Sequence, residues 1–499
     1  MSPHHAALFQ FSHFHSAEPR KMAFNVFENF QNTINGKLST TAEKRHGINP
    51  ATAEPNPDVP VSTQEDVNNA VVAADEAFKS WADVPFAERQ KAVLAYADEV
   101  EKHAADFAKL LIQEQGKPLH VATLETGLSV QLLRQTANIA AEIKDEVVED
   151  SAERKILVRH TPIGVAVGIV PWNFPVSLTV QKLAPAVLTG NTVIIKPSPF
   201  TPYTGLKLVE LAQNFFPPGV VQALSGDDNL GPWLTAHPLV EKISFTGSSA
   251  TGKKVMESAS KTLKRVTLEL GGKDAAIICK DVDIEATAAK IASFGFLNSG
   301  QICVAIKRVY VHESIYDKFR DAAIAFTKTL QVGEGNQEGV FMGPIQNSMQ
   351  YEKVKGFLAD LTPEQIALSN GADKPFDSSK PGYFIKPTII DRPADNSRIA
   401  TEEPFGPILP LMTWSDEKDV ITRANKTRMG LGASVWSNDE KEAARIANKL
   451  QAGSVWVNTH LEMDPRAPFG GHKESGLGSE LGVAGLKAYT NVQTLHFKK

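Results

Sequence analysis

The chain has 499 residues, of which 42% are hydrophobic and 22% charged, a globular composition with length for about three domains. Its net charge of −5 gives no electrostatic reason to expect a nucleic-acid or anionic-membrane partner. No stretch reaches the roughly 18 consecutive apolar residues of a membrane span. The two cysteines, Cys279 and Cys303, are too few for a disulfide framework or a cysteine-ligated metal site, and we expect no metal.

Residues 1–21 differ from the rest of the chain, since they contain four of its 13 histidines and almost no acidic residues. They lack the apolar segment and the cleavage site of a secretory signal. We expect a disordered extension, or a start assigned too early with Met22 as the true start. The scarcity of acid leaves a mitochondrial presequence as an alternative. We therefore expect a cytoplasmic protein or, alternatively, a mitochondrial one.

Apolar residues spaced three and four apart predict four helices in the first third of the chain. Ser62 and Glu65 have the spacing of a capping box at the start of the first helix. Gly116 and Pro118 are expected to end the third helix. The later helices are predicted over Phe86–Lys102, Ala104–Gln115 and Ser129–Asp145. Two short strands then predict a projecting arm, over Glu146–Asp150 and Ile156–His160.

From Gly164 onward, short apolar runs alternate with helical segments, which predicts a parallel, doubly wound sheet with helices on both faces. Such folds bind ligands at the carboxyl ends of their strands. A second α/β run follows Asp283, the segment Asn370–Gly382 is expected to be a loop, and Gln493–Phe497 is the last predicted strand. The strands of the first run are predicted over Val165–Val170, Thr192–Lys196, Val220–Ala223, Lys242–Phe245, Val266–Leu270 and Ala275–Cys279.

Cys303 follows the polar, turn-prone segment Asn298–Gly300 and precedes a segment that we expect to form a helix toward Lys307. A thiol at a helix N-terminus faces backbone N–H groups and a partial positive charge, which lower its pKa. The alternative is a buried structural cysteine, the usual state of a free thiol. Cys279 ends an apolar run, and we expect it to be part of the core.

Glu269 lies at the end of the predicted strand Val266–Leu270, before the double glycine Gly271–Gly272. A carboxylate at this end of a doubly wound sheet can act as a general base if burial raises its pKa. A solvated glutamate or a member of an ion pair is the alternative interpretation.

Three other strand ends carry polar groups at the same predicted edge. Ser248 is placed to cap a helix whose first N–H groups could hold a phosphate, although Gly247 is the only glycine of the turn. Asn173 offers an amide donor suited to a developing oxyanion. Lys196 ends a strand and can bind ribose or phosphate oxygens. The structural alternatives are a plain helix cap, an Asx turn and a surface lysine.

Taken together, these segments closely resemble the motifs of the aldehyde dehydrogenase superfamily, in the family's order. The resemblance runs from about Gly36 to the C-terminus, and a chance match to all of its motifs is negligible. The motifs are Pro171–Pro175, Phe245–Gly252, Leu268–Lys273, Gly300–Cys303, Glu402–Pro407 and Pro468–Gly471.

The resemblance implies oxidation of an aldehyde to a free carboxylic acid. It makes Cys303 the nucleophile, Asn173 and the Cys303 backbone N–H the oxyanion hole, and Glu269 the base that activates water. Lys182 and Glu480 match positions of a proton path near the base. The cofactor-binding residues that the resemblance implies are Trp172, Lys196, Ser198, Phe245, Gly247, Ser248, Glu269, Gly271, Glu403 and Phe405.

The substrate is expected to be an uncharged aliphatic or aromatic aldehyde. The succinic semialdehyde dehydrogenases carry arginines for the substrate carboxylate where this chain has Gln181 and Leu297, and neither can form a bidentate ion pair. A semialdehyde-specific enzyme, a relative that acylates coenzyme A and a non-catalytic binding or structural relative are the alternatives. The expected pocket residues are Phe174, Gln181, Leu297, Ile302, Val304, Met463 and Phe469.

The resemblance implies NAD or NADP as the hydride acceptor. NAD-preferring relatives often carry glutamate three residues after the cofactor lysine, where this chain has Pro199, so NADP stays open. We expect NAD, because no arginine is near that position in the sequence to bind a 2′-phosphate.

The resemblance also implies an aldehyde dehydrogenase-like α/β fold of two doubly wound parallel domains and a small β arm. Members of the family are dimers or tetramers, and the arm and the last predicted strand match the segments that form their subunit contacts, so the resemblance implies a homodimer or homotetramer. An exposed arm of this kind also gains stability by pairing. The predicted division is a disordered extension (1–21), an NAD(P)-binding domain (22–145 and 164–271), a catalytic domain (272–471) and an oligomerisation arm (146–163 and 486–499).

Overall fold

The computed structural model describes residues 24–362, 366–367 and 381–499 of the chain. The predicted disordered extension, residues 1–21, and nearly all of the predicted loop Asn370–Gly382 lie outside these residues. In the described part of the chain, no helix is both long and apolar enough to cross a membrane.

Helices and strands alternate along most of the described chain. The helices are α1 (Gln64–Trp81), α2 (Phe86–Lys102), α3 (Ala104–Gln115), α4 (Leu119–Ile139), α5 (Pro175–Leu188), α6 (Tyr203–Ala212), α7 (Leu230–Ala236), α8 (Ser249–Ser260), α9 (Ile284–Phe296), α10 (Tyr316–Thr327), α11 (Ser348–Ala359), α12 (Arg398–Thr401), α13 (Glu417–Asn425), α14 (Glu440–Ala447) and α15 (Gly482–Lys487). The strands are β1 (Asn32–Ile34), β2 (Lys37–Ser39), β3 (Lys44–Ile48), β4 (Pro55–Pro60), β5 (Glu146–Asp150), β6 (Arg154–Pro162), β7 (Val165–Ile169), β8 (Thr192–Lys196), β9 (Val221–Ala223), β10 (Val240–Thr246), β11 (Arg265–Glu269), β12 (Asp274–Ile278), β13 (Ile306–His312), β14 (Gln331–Val332), β15 (Val340–Met342), β16 (Ile366–Ala367), β17 (Thr388–Asp391), β18 (Ile408–Trp414), β19 (Met429–Gly430), β20 (Gly432–Trp436), β21 (Ser454–Val457), β22 (His472–Lys473), β23 (Gly476–Leu477) and β24 (Thr490–Lys498).

The first sheet has a parallel core in the order β9-β8-β7-β10-β11, with antiparallel strands at its edges. The chain runs outward from β7 to β9 and then crosses back to place β10 on the other side of β7. The order of the strands therefore reverses between β7 and β10. A doubly wound sheet binds ligands beside the carboxyl ends of the strands at such a reversal.

The central strands of this sheet are apolar because both of their faces are covered. Every residue of β7 and of β8 is buried. One apolar cluster packs helices α2 to α6 on one face, and a second packs α1, α7 and α8 on the other. Burial on both faces explains the continuous apolar runs from which these strands were predicted.

The start of α1 and the start of α4 differ from the sequence predictions. Thr63 caps α1 and exchanges hydrogen bonds with Asp66, so the capping box predicted at Ser62 and Glu65 is wrong by one residue. Helix α4 begins well before the predicted start at residue 129. Pro118 ends no helix: it is the N-cap of α4, a place where its missing N–H is harmless.

The second sheet has the order β16-β17-β18-β13-β12-β20-β21 and is parallel except at β16. Strand β12 belongs to this sheet, although its predicted counterpart Ala275–Cys279 was listed with the strands of the first α/β run; the predicted boundary at residue 272 does separate it from them. Cys279 directly follows β12, is 1% exposed and packs in an apolar cluster with Tyr310 and Met412. This confirms the prediction that Cys279 is part of the core.

The arm is a three-stranded antiparallel sheet in the order β24-β6-β5. Its C-terminal strand β24 pairs with β6 over the whole length of both strands. Several apolar side chains of the arm are exposed: Val147, Val148, Val492 and Phe497.

Candidate active site

A cavity of about 730 Å³ lies at the reversal point of the first sheet. The carboxyl ends of β7, β8, β10 and β11 form one wall, and helix α11, the turn of Cys303 and the segment after α12 contribute the other lining residues. All ten predicted cofactor-binding residues line this cavity: Trp172, Lys196, Ser198, Phe245, Gly247, Ser248, Glu269, Gly271, Glu403 and Phe405. The nucleophile candidate Cys303 and the amide of Asn173 line it as well.

Cys303 lies in a turn rather than at the start of a helix. The chain turns through Cys303 and enters strand β13 at Ile306, so the predicted helix toward Lys307 is absent. Asn298, Ser299 and Gly300 take the left-handed conformation in succession. A Cβ atom on Gly300 would lie 2.3 Å from the Gly406 carbonyl oxygen, so only glycine fits here.

The resting thiol of Cys303 is protonated. Burial raises its pKa well above the ordinary value, and the nearby Glu269 raises it further. The predicted lowering of this pKa by a helix N-terminus is therefore wrong, because no helix begins there. Formation of the thiolate needs a base at the thiol.

Glu269 is placed to be that base. Its side chain is 3% exposed, lines the same cavity as Cys303 and lies near enough to raise the pKa of that thiol. Burial, helped by the charge of Glu480, raises the pKa of Glu269 to about 8. Its Oε1 atom has no hydrogen-bond partner among the described residues, although it borders the cavity. A carboxylate with this pKa accepts a proton near neutral pH far better than an ordinary glutamate.

Asn173 is held in place from both ends. Its side-chain Nδ2 atom donates to the backbone carbonyl of Gln301 at 3.1 Å, and its backbone carbonyl accepts from the buried Lys117 at 2.9 Å. Lys117 also lies 3.9 Å from the centre of the Phe174 ring and forms an ion pair with buried Glu125. The side-chain amide has two N–H donors, so one remains for an oxyanion in the cavity.

Lys182 and Glu480 form a buried ion pair of 2.8 Å beside the base. The Lys182 ammonium also donates to Thr246 Oγ1 at 2.8 Å, and Ser244 Oγ donates to Glu480 at 2.9 Å. The pair is connected electrostatically to Glu269, since the pKa of Glu269 is raised by Glu480 and lowered by Lys182. Hydroxyl and ammonium groups in hydrogen-bond contact can pass protons, and the proton path through Lys182 and Glu480 stays a prediction.

The predicted cofactor-binding residues provide a helix N-terminus, a carboxylate, a glycine in close contact with it and two aromatic rings. Ser248 caps α8 by accepting from the Thr251 N–H, so the positive end of that helix opens to the cavity. Glu403 accepts from the Gly272 N–H at 3.2 Å. A Cβ atom on Gly271 would lie 2.4 Å from a carboxylate oxygen of Glu403, so glycine is needed beside it. The rings of Trp172 and Phe405 meet edge to face, with 5.3 Å between their centres.

Lys196 ends β8 with its ammonium buried at the far end of the cavity. Burial and the charge of Arg45 lower the pKa of Lys196 to about 8, while Asp227 and Asp228 oppose this effect. Arg45 therefore lies near the cofactor lysine, contrary to the expectation drawn from the sequence. Its guanidinium donates to the Gly226 carbonyl, and it is absent from the described residues that line the cavity, whereas both aspartates line it.

Five of the seven expected pocket residues come together around Cys303. They form one apolar cluster with it: Phe174, Leu297, Ile302, Val304 and Phe469. Gln181 instead donates to Glu480, and Met463 is 42% exposed outside that cluster. The surroundings of the thiol are therefore mainly apolar.

Sequence reasoning missed several polar residues of the cavity and its supports. Gln350, Lys353 and the aspartate pair line the cavity but lie in segments with no distinctive pattern. Lys117 looks like an exposed lysine between Gly116 and Pro118. Lys307 had a detectable signal, because it is a charged residue directly after the apolar run Val304–Ile306.

Comparison with known proteins identifies the family. A sequence profile of the aldehyde dehydrogenase family matches residues 38–495. The chain belongs to the aldehyde dehydrogenase family. It is 40% identical over 473 residues to the aldehyde dehydrogenase LUC3 of a Fusarium species, covering 95% of this chain and 100% of the relative. It is 38% identical over 463 residues to the phenylacetaldehyde dehydrogenase of Pseudomonas fluorescens, covering 90% and 91%.

Solved structures agree with this assignment. The NAD⁺ complex of an aldehyde dehydrogenase from Bacillus cereus superposes with a TM-score of 0.91 at 34% identity, covering 94% of this chain and 97% of that one. The resemblance, the aldehyde dehydrogenase-like α/β fold class and the general activity of aldehyde oxidation are thereby confirmed. The roles of individual residues stay predictions.

Proposed function

We propose that this aldehyde dehydrogenase converts an uncharged aliphatic or aromatic aldehyde into its carboxylic acid, with NAD as acceptor. The observation that supports it most is that Cys303, the buried Glu269 and the amide of Asn173 line one large cavity. These groups supply a nucleophile, a base and an oxyanion donor within one site.

The chain's own residues can carry out the proton transfers and can form and break the bond between sulfur and the substrate carbon. Glu269 takes the thiol proton, and the Cys303 sulfur attacks the aldehyde carbon to form a thiohemiacetal alkoxide. The Asn173 amide and the Cys303 N–H stabilise that oxyanion. NAD, when bound, supplies the acceptor for the hydride that leaves this carbon. Glu269 first loses the thiol proton to solvent and then removes a proton from the water that attacks the thioester. The carboxylic acid leaves as this proton returns to the Cys303 sulfur, which regenerates the thiol.

The cavity fits a dinucleotide. Its volume is within the usual range of a few hundred to about 1,000 Å³ for ligand sites, and it lies at the strand reversal. Lys196 and Glu403, which both line it, would hold ribose hydroxyls, and the N-terminus of α8 behind Ser248 would face the pyrophosphate. Asp227 and Asp228 line the end near Pro199, where their charge disfavours a 2′-phosphate. This supports NAD over NADP.

The apolar cluster around Cys303 supports an uncharged substrate. The relative from Pseudomonas fluorescens is named for phenylacetaldehyde, an aldehyde of this class. A succinic semialdehyde substrate would need a cation near its carboxylate, and the two positions that resemble that subgroup hold Gln181 and Leu297.

The test is to measure cofactor reduction with hexanal, benzaldehyde and succinic semialdehyde, each with NAD and with NADP, in the presence and absence of coenzyme A. We expect the highest kcat/KM with benzaldehyde or hexanal and NAD, and no effect of coenzyme A. A preference for succinic semialdehyde or dependence on coenzyme A would contradict the proposed substrate and product. No reduction with any aldehyde would favour the non-catalytic alternative.

We also propose the predicted domain division, with NAD(P)-binding, catalytic and arm segments, and a homodimer or homotetramer joined through the arm. The four exposed apolar side chains of the arm support a partner surface there, because exposed sheet edges tend to pair. Sedimentation analysis of the purified chain and of a Val492→Asp variant would test this. A monomeric wild-type protein would contradict it.

We propose a cytoplasmic location, with a mitochondrial location as the alternative. Microscopy of the tagged full-length chain in cells would distinguish the two.

A further inference from the structure

Lys307 is a buried cation directly behind the nucleophile. It is 3% exposed and lies at the start of β13. Its ammonium group donates to the Ile302 carbonyl at 2.8 Å and to the Cys303 carbonyl at 2.5 Å. It also lies 3.2 Å from Glu403 Oε1. An ammonium group has three N–H donors, so the two carbonyls and the carboxylate use all of its capacity.

The contact with Ile302 has a direct consequence for the oxyanion hole. The Ile302 carbonyl and the Cys303 N–H belong to one peptide unit, and the described chain has no cis peptide bonds. In a planar trans peptide these two groups point in opposite directions, so a hydrogen bond that fixes the carbonyl also fixes the N–H. A cation at the carbonyl polarises the unit and makes the N–H a stronger donor.

Lys307 also connects this peptide to the cofactor side of the cavity. Glu403, whose Oε1 atom faces Lys307, accepts from the Gly272 N–H and lines the cavity. One buried ammonium group therefore holds both the loop of the proposed nucleophile and a proposed cofactor carboxylate. A neutral side chain that cannot donate would leave the two carbonyls without this donor and would remove the cation beside a partly buried carboxylate, which is costly.

The charged groups near the Cys303 thiol have opposite effects on its pKa. Glu269 and Glu403 both raise the pKa of Cys303, and Lys307 lowers it. The other charged or titratable groups that surround Lys307 are Lys273, Asp274, Arg308 and His460. His460 Nε2 donates to the Val304 carbonyl, and burial lowers the pKa of His460 to about 3, so it is neutral near pH 7.

We propose that Lys307 is a positioning residue that fixes and polarises the Ile302–Cys303 peptide of the oxyanion hole and ties it to Glu403. The proposal rests on the proposed function, because it requires Cys303 to be the nucleophile. Lys307 touches no reacting atom and acts through this peptide and through its charge. A lysine that merely closed the turn before β13 would affect folding but would not affect thiol ionisation.

The test compares Lys307→Met and Lys307→Gln, which remove the charge, with Lys307→Arg, which keeps it. Lys207→Met is the matched control, because Lys207 is another buried, ion-paired lysine but lies in the first domain, next to Glu210. For each variant we would measure kcat, the KM for aldehyde and for NAD, and the thermal unfolding midpoint. The pH dependence of Cys303 alkylation by iodoacetamide, followed by peptide mass spectrometry, reports thiol ionisation without any turnover.

For the two neutral variants we expect kcat to fall about 10- to 100-fold with a smaller change in the KM for aldehyde, because the loss is in oxyanion stabilisation. We expect the alkylation midpoint to rise by about one pH unit. Lys307→Arg should recover most of kcat and the wild-type midpoint, and Lys207→Met should match the wild type in both.

An unchanged kcat and an unchanged alkylation midpoint in a folded neutral variant would overturn the proposal. Failure of both neutral variants to fold, while Lys207→Met folds, would also count against it, since the role would then be structural. The wild-type enzyme separates this test from that of the proposed function. Absence of aldehyde oxidation refutes the function, whereas the alkylation profiles still decide whether Lys307 controls the thiol.

Discussion

The two cysteines of the chain have opposite surroundings, although both thiols are protonated at rest. Cys279 packs in an apolar cluster after β12, and burial, with the charges of Glu442 and Asp281, raises its pKa above the ordinary value. Burial and the charge of Glu269 also raise the pKa of Cys303, yet that thiol borders a large cavity. A low resting pKa is therefore not what distinguishes the reactive thiol. The difference lies in the cavity, which Cys303 shares with a buried glutamate and with the amide of Asn173, whereas Cys279 is not among the described residues that line it.

The largest expected effect comes from replacing each cysteine by alanine in a separate variant. Cys303→Ala should lower kcat by at least about 10⁴-fold, because no other described group can take the place of the nucleophile. Cys279→Ala should keep kcat within about twofold of the wild type. Steady-state cofactor reduction measures both, and equal losses in the two variants would refute the comparison.

Removal of the base should have the next largest effect. Glu269→Gln keeps the shape of the side chain but cannot accept a proton, so we expect kcat to fall about 10³-fold at neutral pH. Glu241→Gln, an exposed glutamate on the neighbouring strand β10, is the control and should behave as the wild type. A glutamine variant at position 269 with more than a tenth of wild-type kcat would show that another group activates the thiol and the water.

Loss of the oxyanion donor should have a smaller effect. Asn173→Ala should lower kcat about 10²-fold, since the Cys303 N–H remains as the second donor. The side chain also anchors the Gln301 carbonyl, so the thermal unfolding midpoint must be measured in parallel. A fall in stability with an unchanged kcat would assign Asn173 to loop structure alone.

The pH dependence of the wild type provides a milder test. The pKa of Glu269 is raised to about 8, so the carboxyl is mostly protonated below that pH and cannot accept the thiol proton. We expect kcat/KM to rise as the pH is raised toward about 8 and to fall about tenfold for each unit below it. The Glu269→Gln variant should lack this limb of the profile. A flat wild-type profile between about pH 6 and 8 would contradict the raised pKa.

The smallest expected effect concerns Cys279 and stability. Cys279→Ala removes a buried sulfur from a packed cluster and should reduce the free energy of unfolding by about 1–2 kcal/mol. Urea denaturation followed by fluorescence measures this change. A destabilisation at Cys303→Ala of the same size or larger would mean that the half-buried thiol contributes equally to packing.

Much of the fold was predictable because its central strands are buried on both faces. Continuous apolar runs such as the one in β8 identify parallel strands, and the strand ends then converge at one edge. The start of α4 was predicted too late, because a proline such as Pro118 can follow the end of one helix or precede the start of the next. Local sequence does not distinguish the two.

The candidate site was predictable where a residue type follows a strand in a known motif. Glu269, Lys196 and Ser248 all line the cavity, as their strand ends suggested. The turn at Cys303 was mispredicted, because three successive left-handed residues cannot be anticipated from propensity alone. Lys117 and Lys307 act through contacts with the backbone of distant or turning segments, which spacing does not reveal.

The central claim is that Cys303, and not Cys279, carries the acyl group of the substrate. The most direct measurement is mass spectrometry of peptides from the Glu269→Gln variant after incubation with benzaldehyde and NAD at about pH 9–10, where the thiol ionises more readily without its base. We predict that a benzoyl thioester accumulates on the peptide that contains Cys303, because its hydrolysis needs Glu269. An adduct on Cys279, or formation of acid without any adduct at Cys303, would contradict the account.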